Sequence, residues 1–176
     1  MRWFDAYPDR LAWEQAAMAA YPTLEWDGQL SRPEYDDGGG WTGTVPEWPF
    51  ERPRPPDLDA FLAGSRLTVA MVCLQAHPAV KPRVYPLEPE PNPRARTRNA
   101  WHVAGDGSLC LTQRAYDWDG SETAAHLVPK VAGWFLEFLL LARGHVERMT
   151  EVGIVTNDSL DHMLTAAYAH DDEKAG

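Results

Sequence analysis

The strongest constraint in this chain is a long helical signal over residues 123–143. Leu127, Val131, Phe135 and Leu139 recur there on one face of a helix. Pro129 falls near its start, where a missing N–H costs least, and Gly144 offers a stop. A helix this apolar needs a surface to bury against. The best strand is 66–74, R-L-T-V-A-M-V-C-L, with alternation and β-branched residues.

The remaining elements rest on local signals. Residues 9–21 read as a first helix rich in Ala12, Ala16, Ala17, Met18 and Ala19, stopped by Pro22. Residues 24–30 and 41–45 read as meander strands flanking the turn-rich Asp36-Asp37-Gly38-Gly39-Gly40. Prolines 49, 53, 55 and 56 make 51–57 a stiff connector. Residues 82–87 predict a short strand, and 86–93 has too many prolines for a central one. Residues 101–113 read as an irregular loop. A final helix is expected over 159–170, after the capping residues Asn157 and Asp158, with a frayed tail from 171. Grouped strands with helices at the ends predict an α+β class with an antiparallel sheet, in a single domain spanning 1–176.

Composition narrows the function classes. A formal charge of −10 disfavours nucleic-acid binding, which needs clustered cations, and disfavours anionic membranes. The aromatic content, eight Trp among it, excludes a disordered chain. Two cysteines are too few for a secreted disulfide scaffold, and the charged N-terminus does not read as a signal peptide. Residues 131–142, the longest apolar stretch, are interrupted by Glu137 and too short to span a bilayer. The expected location is the cytoplasm, with both thiols reduced.

The segment 99–123, N-A-W-H-V-A-G-D-G-S-L-C-L-T-Q-R-A-Y-D-W-D-G-S-E-T, carries the chemistry. It resembles the ubiquitin-conjugating enzymes. Those have a His-Pro-Asn tripeptide, a glycine-containing turn, an apolar-Cys-Leu step, a Trp-Ser-Pro-Ala loop and a Thr opening a long helix. Without a gap, Ala100-Trp101-His102 falls on the tripeptide and Gly107-Ser108-Leu109-Cys110-Leu111 on the catalytic step. Trp118 falls on the loop Trp and Thr123 on the Thr. Upstream, 67–74 with His77-Pro78 and Lys81-Pro82-Arg83-Val84 after it looks like the family's third strand, which there runs into a Tyr-Pro turn and a Pro-Pro-apolar strand.

There are departures: His102 replaces the family Asn, Ala100 its His, and Asp119-Gly120-Ser121 comes after Trp118. These resemble bacterial relatives encoded in antiphage operons, either of cyclic-oligonucleotide signalling systems or of bacterial ubiquitin-like systems. The resemblance implies a ubiquitin-conjugating fold and a cysteine acyltransferase. An activating enzyme would load Cys110 with the C-terminus of a ubiquitin-like protein or a nucleotide cyclase. The acyl group would then pass to an amine of an acceptor protein, with no metal and no organic cofactor.

The chemistry of the residues agrees. Thioester exchange needs an accessible thiolate, and aminolysis creates an oxyanion that needs a hydrogen-bond donor. His102 is the candidate donor, general base or loop brace. Trp101 and Trp118 are candidate anchors of the loop. Asp106, Gly107, Ser108 and Asp119 support it, and Asp106, Asp117 and Asp119 also read as plain turn residues. Cys73, in an apolar strand, reads as a core thiol. Arg94, Arg96 and Arg98 form a basic run that is either a solvated loop or a dock for an acidic partner. Three rivals stand beside the transferase: an inactive binding module, a Cys/His thioester or isopeptide hydrolase, and a metal site using Cys110, His102 and His126.

Overall fold

The computed structural model describes residues 1–31, 38–112, 118–151 and 153–170. Short helix α1 (Trp3–Ala6) leads into α2 (Pro8–Met18). Four strands then form one antiparallel meander in chain order: β1 (Leu24–Asp27), β2 (Gly40–Thr44), β3 (Thr68–Val72) and β4 (Arg83–Glu88). Between β2 and β3 lies α3 (Leu58–Leu62), and the long helix α4 (Val128–Ala142) comes after the sheet. The molecule is therefore α+β, as the order of sequence signals predicts.

Side-chain alternation sorts the sheet into two faces. Trp41, paired with Trp26 and Met71, joins Val69, Cys73 and Val84 in the main core, to which α4 also contributes. Ala70, Val72 and Tyr85 form a small cluster on the other face with Leu30. Glycine is required at position 43 of β2. Its φ is 146°, and a Cβ there would stand 1.9 Å from the Thr23 carbonyl oxygen. Pro86 is tolerated because β4 is an edge strand.

The long helix differs from expectation in its surroundings. Its predicted apolar face is buried, and so are the other residues from Val131 to Leu140, Glu137 included. A 3-10 turn, Ala124–Leu127, precedes it. The run Ala124–Ala142 is nineteen residues with a mean hydropathy of 1.4, long and apolar enough to cross a bilayer. It is a core helix here, with 78% of that window buried.

The predicted last helix over 159–170 does not form. Two 3-10 turns, Asp161–Met163 and Ala166–Tyr168, stand in its place. Thr165 between them is extended, at φ −135° and ψ 168°. Distant arginines anchor these turns. Arg52 forks onto the Asp161 carboxylate at 2.7 and 2.8 Å, and Arg143 donates to the Tyr168 carbonyl at 3.1 Å. The expected tail from 171 lies outside the described residues, as do Asp36 and Asp37 of the predicted loop.

Candidate active site

The Cys110 segment is built as a small hairpin. Val103 and Leu109 form an antiparallel bridge, and the Ala104 N–H donates to the Ser108 carbonyl at 2.8 Å. Gly107 closes the turn at φ 86°, a conformation that favours glycine. Asp106 fixes it from inside by accepting from the Ser108 N–H at 2.9 Å and hydroxyl at 2.6 Å. The other Asp106 oxygen accepts from Arg83 on β4. The Leu109 N–H donates to the Val84 carbonyl at 2.8 Å, which seats the hairpin on the edge strand.

At the open end of this hairpin, His102 and Cys110 face one another. The Cys110 N–H donates to the His102 carbonyl at 2.8 Å. His102 closes the 3-10 turn Asn99–Trp101 and is itself left-handed, at φ 50° and ψ 42°. That conformation costs a non-glycine residue roughly 1–2 kcal/mol. The neighbouring contacts hold it there. The Trp101 carbonyl accepts from Trp134 Nε1 at 2.9 Å, its ring lies 5.5 Å from that of Phe138, and the Met149 N–H donates to Ala100 at 3.1 Å.

Both residues open on a cleft of about 280 Å³, whose other walls include Leu111, Trp134, Met149 and Val155. Two charged residues distant in sequence fix its far wall. The Glu137 carboxylate, buried in α4, accepts from the Thr150 N–H at 2.6 Å, its hydroxyl at 2.8 Å and the Ile154 N–H at 2.8 Å. Arg52, from the proline-rich connector, donates to the Ile154 carbonyl at 2.7 Å and to Val155 at 3.2 Å. Its guanidinium lies 4.9 Å from the Trp48 ring and 5.0 Å from Phe50.

No family model, curated protein or solved structure matches this chain.

Cys110 is an exposed residue, while Cys73 is buried in the core. Protein atoms still crowd one side of Cys110. Their desolvation pushes its thiol above the usual range, Lys81 pulls it back, and Asp106 adds to the rise. Burial pushes Cys73 far higher. Brief, dilute alkylation read by intact-protein and peptide mass spectrometry is expected to label Cys110 first, because access and thiolate fraction both favour it. Labelling of Cys73 ahead of Cys110 counts against Cys110 as nucleophile.

The other candidate residues divide by location. Trp101 braces the cleft through its carbonyl, whereas Asp106, Gly107 and Ser108 shape the far end of the hairpin. Trp118 is buried beside the β3–β4 loop, donating from Nε1 to the Pro78 carbonyl at 2.7 Å. Asp119 is a turn residue that accepts from the Ser121 N–H at 2.8 Å, and these Ser121 hydrogen bonds hold its carboxyl below the usual range. Neither Trp118 nor Asp119 is among the described residues lining the cleft. His126 lines a separate groove with Trp13 and Glu122. Among the described residues, no three His, Cys, Asp or Glu side chains gather as a metal site. Asp117 lies outside the described residues.

Sequence reasoning missed Glu14, Arg52 and Glu137 as organising residues. Glu137 did leave a signal, a lone carboxylate inside an apolar helix. Glu14 left none: at the first turn of the long helix, the Ala124 N–H is capped by Glu14 of α2 at 2.7 Å, and Thr123 makes no side-chain cap.

Proposed function

We propose that this protein is a cysteine acyltransferase of ubiquitin-conjugating type, carrying a protein C-terminus as a thioester on Cys110. One observation carries the reading: Cys110 and His102 are paired across one hairpin end and share a cleft. The element order supports it, since a helix, a four-stranded meander, a Cys hairpin and a long core helix occur in the order a ubiquitin-conjugating fold requires. The motif resemblance supplies the setting, a bacterial antiphage operon in the cytoplasm. Its partners would be an activating enzyme, a ubiquitin-like protein or nucleotide cyclase, and an acceptor amine.

The chemistry is two acyl transfers. Cys110 thiolate attacks the thioester carbonyl on the activating enzyme. A new C–S bond forms, the old one breaks, and the departing thiolate takes up a proton. An amine then attacks the Cys110 thioester, the C–N bond forms, the C–S bond breaks, and the ammonium proton passes to water. The Cys110 site suits a carrier better than a hydrolase. In Cys/His hydrolases the imidazolium depresses the thiol, and a third group orients the histidine. Here burial, Lys81 and Asp106 set the Cys110 titration. Among the described residues, no side chain hydrogen-bonds the His102 imidazole.

A synthetic peptide thioester ending in glycine tests this without an activating enzyme. Cys110 is expected to take the acyl group as a thiol-labile adduct. His102→Ala is expected to load but to discharge to an added amine on the order of 100-fold more slowly, as when an oxyanion donor is lost. His102→Asn separates the roles, because an amide donates a hydrogen bond but cannot act as a base. The measurement is single-turnover discharge over a pH series. Discharge by His102→Ala at the parental rate at every pH removes His102 from the chemistry. Failure of the thioester to acylate Cys110 removes the transferase reading.

A further inference from the structure

Lys81, remote from Cys110 in sequence, reaches the segment that carries it. It lies near the end of the loop 73–82 between β3 and β4, and its ammonium donates to the Thr112 hydroxyl. Thr112 lies two residues beyond Cys110 and lines the same cleft. The loop that presents Lys81 is firmly held. His77 within it meets Glu14 at 2.9 Å, Trp118 donates to the Pro78 carbonyl at 2.7 Å, and Pro82 is buried.

We propose that Lys81 is the electrostatic positioning residue of Cys110, the cation that stabilises its thiolate both before acyl loading and on acyl release. This rests on the assignment of Cys110 as nucleophile. In both transfers a full negative charge resides on Sγ, first as the attacking thiolate and later as the leaving group. A fixed ammonium nearby favours that charge at each end of the cycle.

Other charges surround the thiol. Asp106 opposes Lys81, but its carboxylate is engaged by Arg83 and Ser108. Glu137 faces the cleft with its carboxylate already committed to Thr150 and Ile154. Lys130 and Glu151 reach the cleft from other walls and carry opposite charge, and His102 lies across the hairpin. Lys81 favours the thiolate and Asp106 opposes it. Removing Lys81 therefore leaves the thiol under the opposing influence of Asp106.

The test is the pH–rate profile of Cys110 alkylation by iodoacetamide in the full chain, read by peptide mass spectrometry. Lys81→Met is expected to move the profile to higher pH and slow labelling near neutrality about threefold or more, as loss of a nearby opposite charge does. Lys81→Arg is expected to restore the parental profile, since it keeps the charge. Raising the salt concentration should narrow the gap between Lys81→Met and the parent. A parental profile in Lys81→Met overturns the proposal. So does equal slowing in the Met and Arg variants, which marks a shape requirement in place of a charge. Alkylation needs no acyl donor, so the two readings fail separately. A Lys81-dependent thiol that never accepts the peptide thioester sinks the transferase and leaves only the electrostatic link between Lys81 and Cys110 standing. A Cys110 that loads normally with a Lys81-independent profile does the reverse.

Discussion

Cys110→Ser is expected to eliminate every thiol-labile adduct of this chain with an activated C-terminus. The serine hydroxyl is almost fully protonated near neutral pH and is a weak nucleophile, so acylation should slow by at least about a thousandfold. What remains should be an oxyester that resists added thiol and appears slowly. The substitution is structurally mild. The position is exposed, and its backbone bond to the His102 carbonyl at 2.8 Å does not involve the side chain. Cys73 cannot substitute, because it is 0% exposed in the core. The check is non-reducing and reducing electrophoresis of the loaded protein, with parent and variant confirmed as folded by circular dichroism. A thiol-labile band that survives in the variant refutes Cys110 as the nucleophile.

Glu14→Ala is expected to cost the most stability of any single change in the described network. The Glu14 side chain is fully buried in α2 and accepts from Arg10 at 2.7 and 3.0 Å, from His77 Nε2 at 2.9 Å and from the Ala124 N–H at 2.7 Å. Truncation leaves the buried His77 imidazole and the Ala124 N–H without their acceptor and removes the carboxylate paired with the part-buried Arg10 guanidinium. Breaking such a pair costs about 3–5 kcal/mol, against a typical total of about 5–15 kcal/mol. The melting temperature should fall by roughly 10 °C or more.

The same carboxylate sets an acid limit. Burial alone would raise its pKa, but hydrogen bonds from His77, Ala124 and Arg10 outweigh that and hold it below 4.5. A carboxyl depressed in the folded state contributes its full stability above its unfolded value. That contribution is lost as the pH falls through the lowered folded value. Glu14→Gln, which carries no charge to titrate, should therefore be less stable than the parent near neutrality and approach it in acid. Denaturant titrations across this pH range decide the point. A stability gap that does not change with pH contradicts it.

The clamp also explains how the region around Cys110 is held together. Arg10 donates to the Gly120 carbonyl at 3.0 Å and to that of Glu122, so α2 fixes the segment between Trp118 and the long helix. His77, in the loop that presents Lys81, shares the same carboxylate. One buried Glu thus ties α2, the 3-10 turn that leads into α4 and the loop that carries Lys81 to a common point.

Local signals made much of this architecture legible in the sequence. The recurrence of Leu127, Val131, Phe135 and Leu139 specified a helix, and its first-turn Pro129 and the Gly144 beyond its end fall where the structure uses them. Alternation in 66–74 specified β3, and proline frequency kept β4 at an edge. The motif resemblance over 99–123 singles out His102 and Cys110, but the sequence reads there only as an irregular loop, not as the hairpin that pairs them. Residues 159–170 misled for the complementary reason. Their capping residues favour a helix locally, but Arg52 and Arg143 reach in from elsewhere and fix separate turns. Periodicity and turn chemistry act over a few residues, and those the sequence determined by itself: the α+β order and the long apolar helix. The cleft wall held by Glu137 and Arg52, the cap that Glu14 provides at the start of the long helix and the placing of Lys81 beside Thr112 were decided only by tertiary structure. Each joins groups remote along the chain, and the energy of a charge paired in the interior depends on partners that no local pattern names.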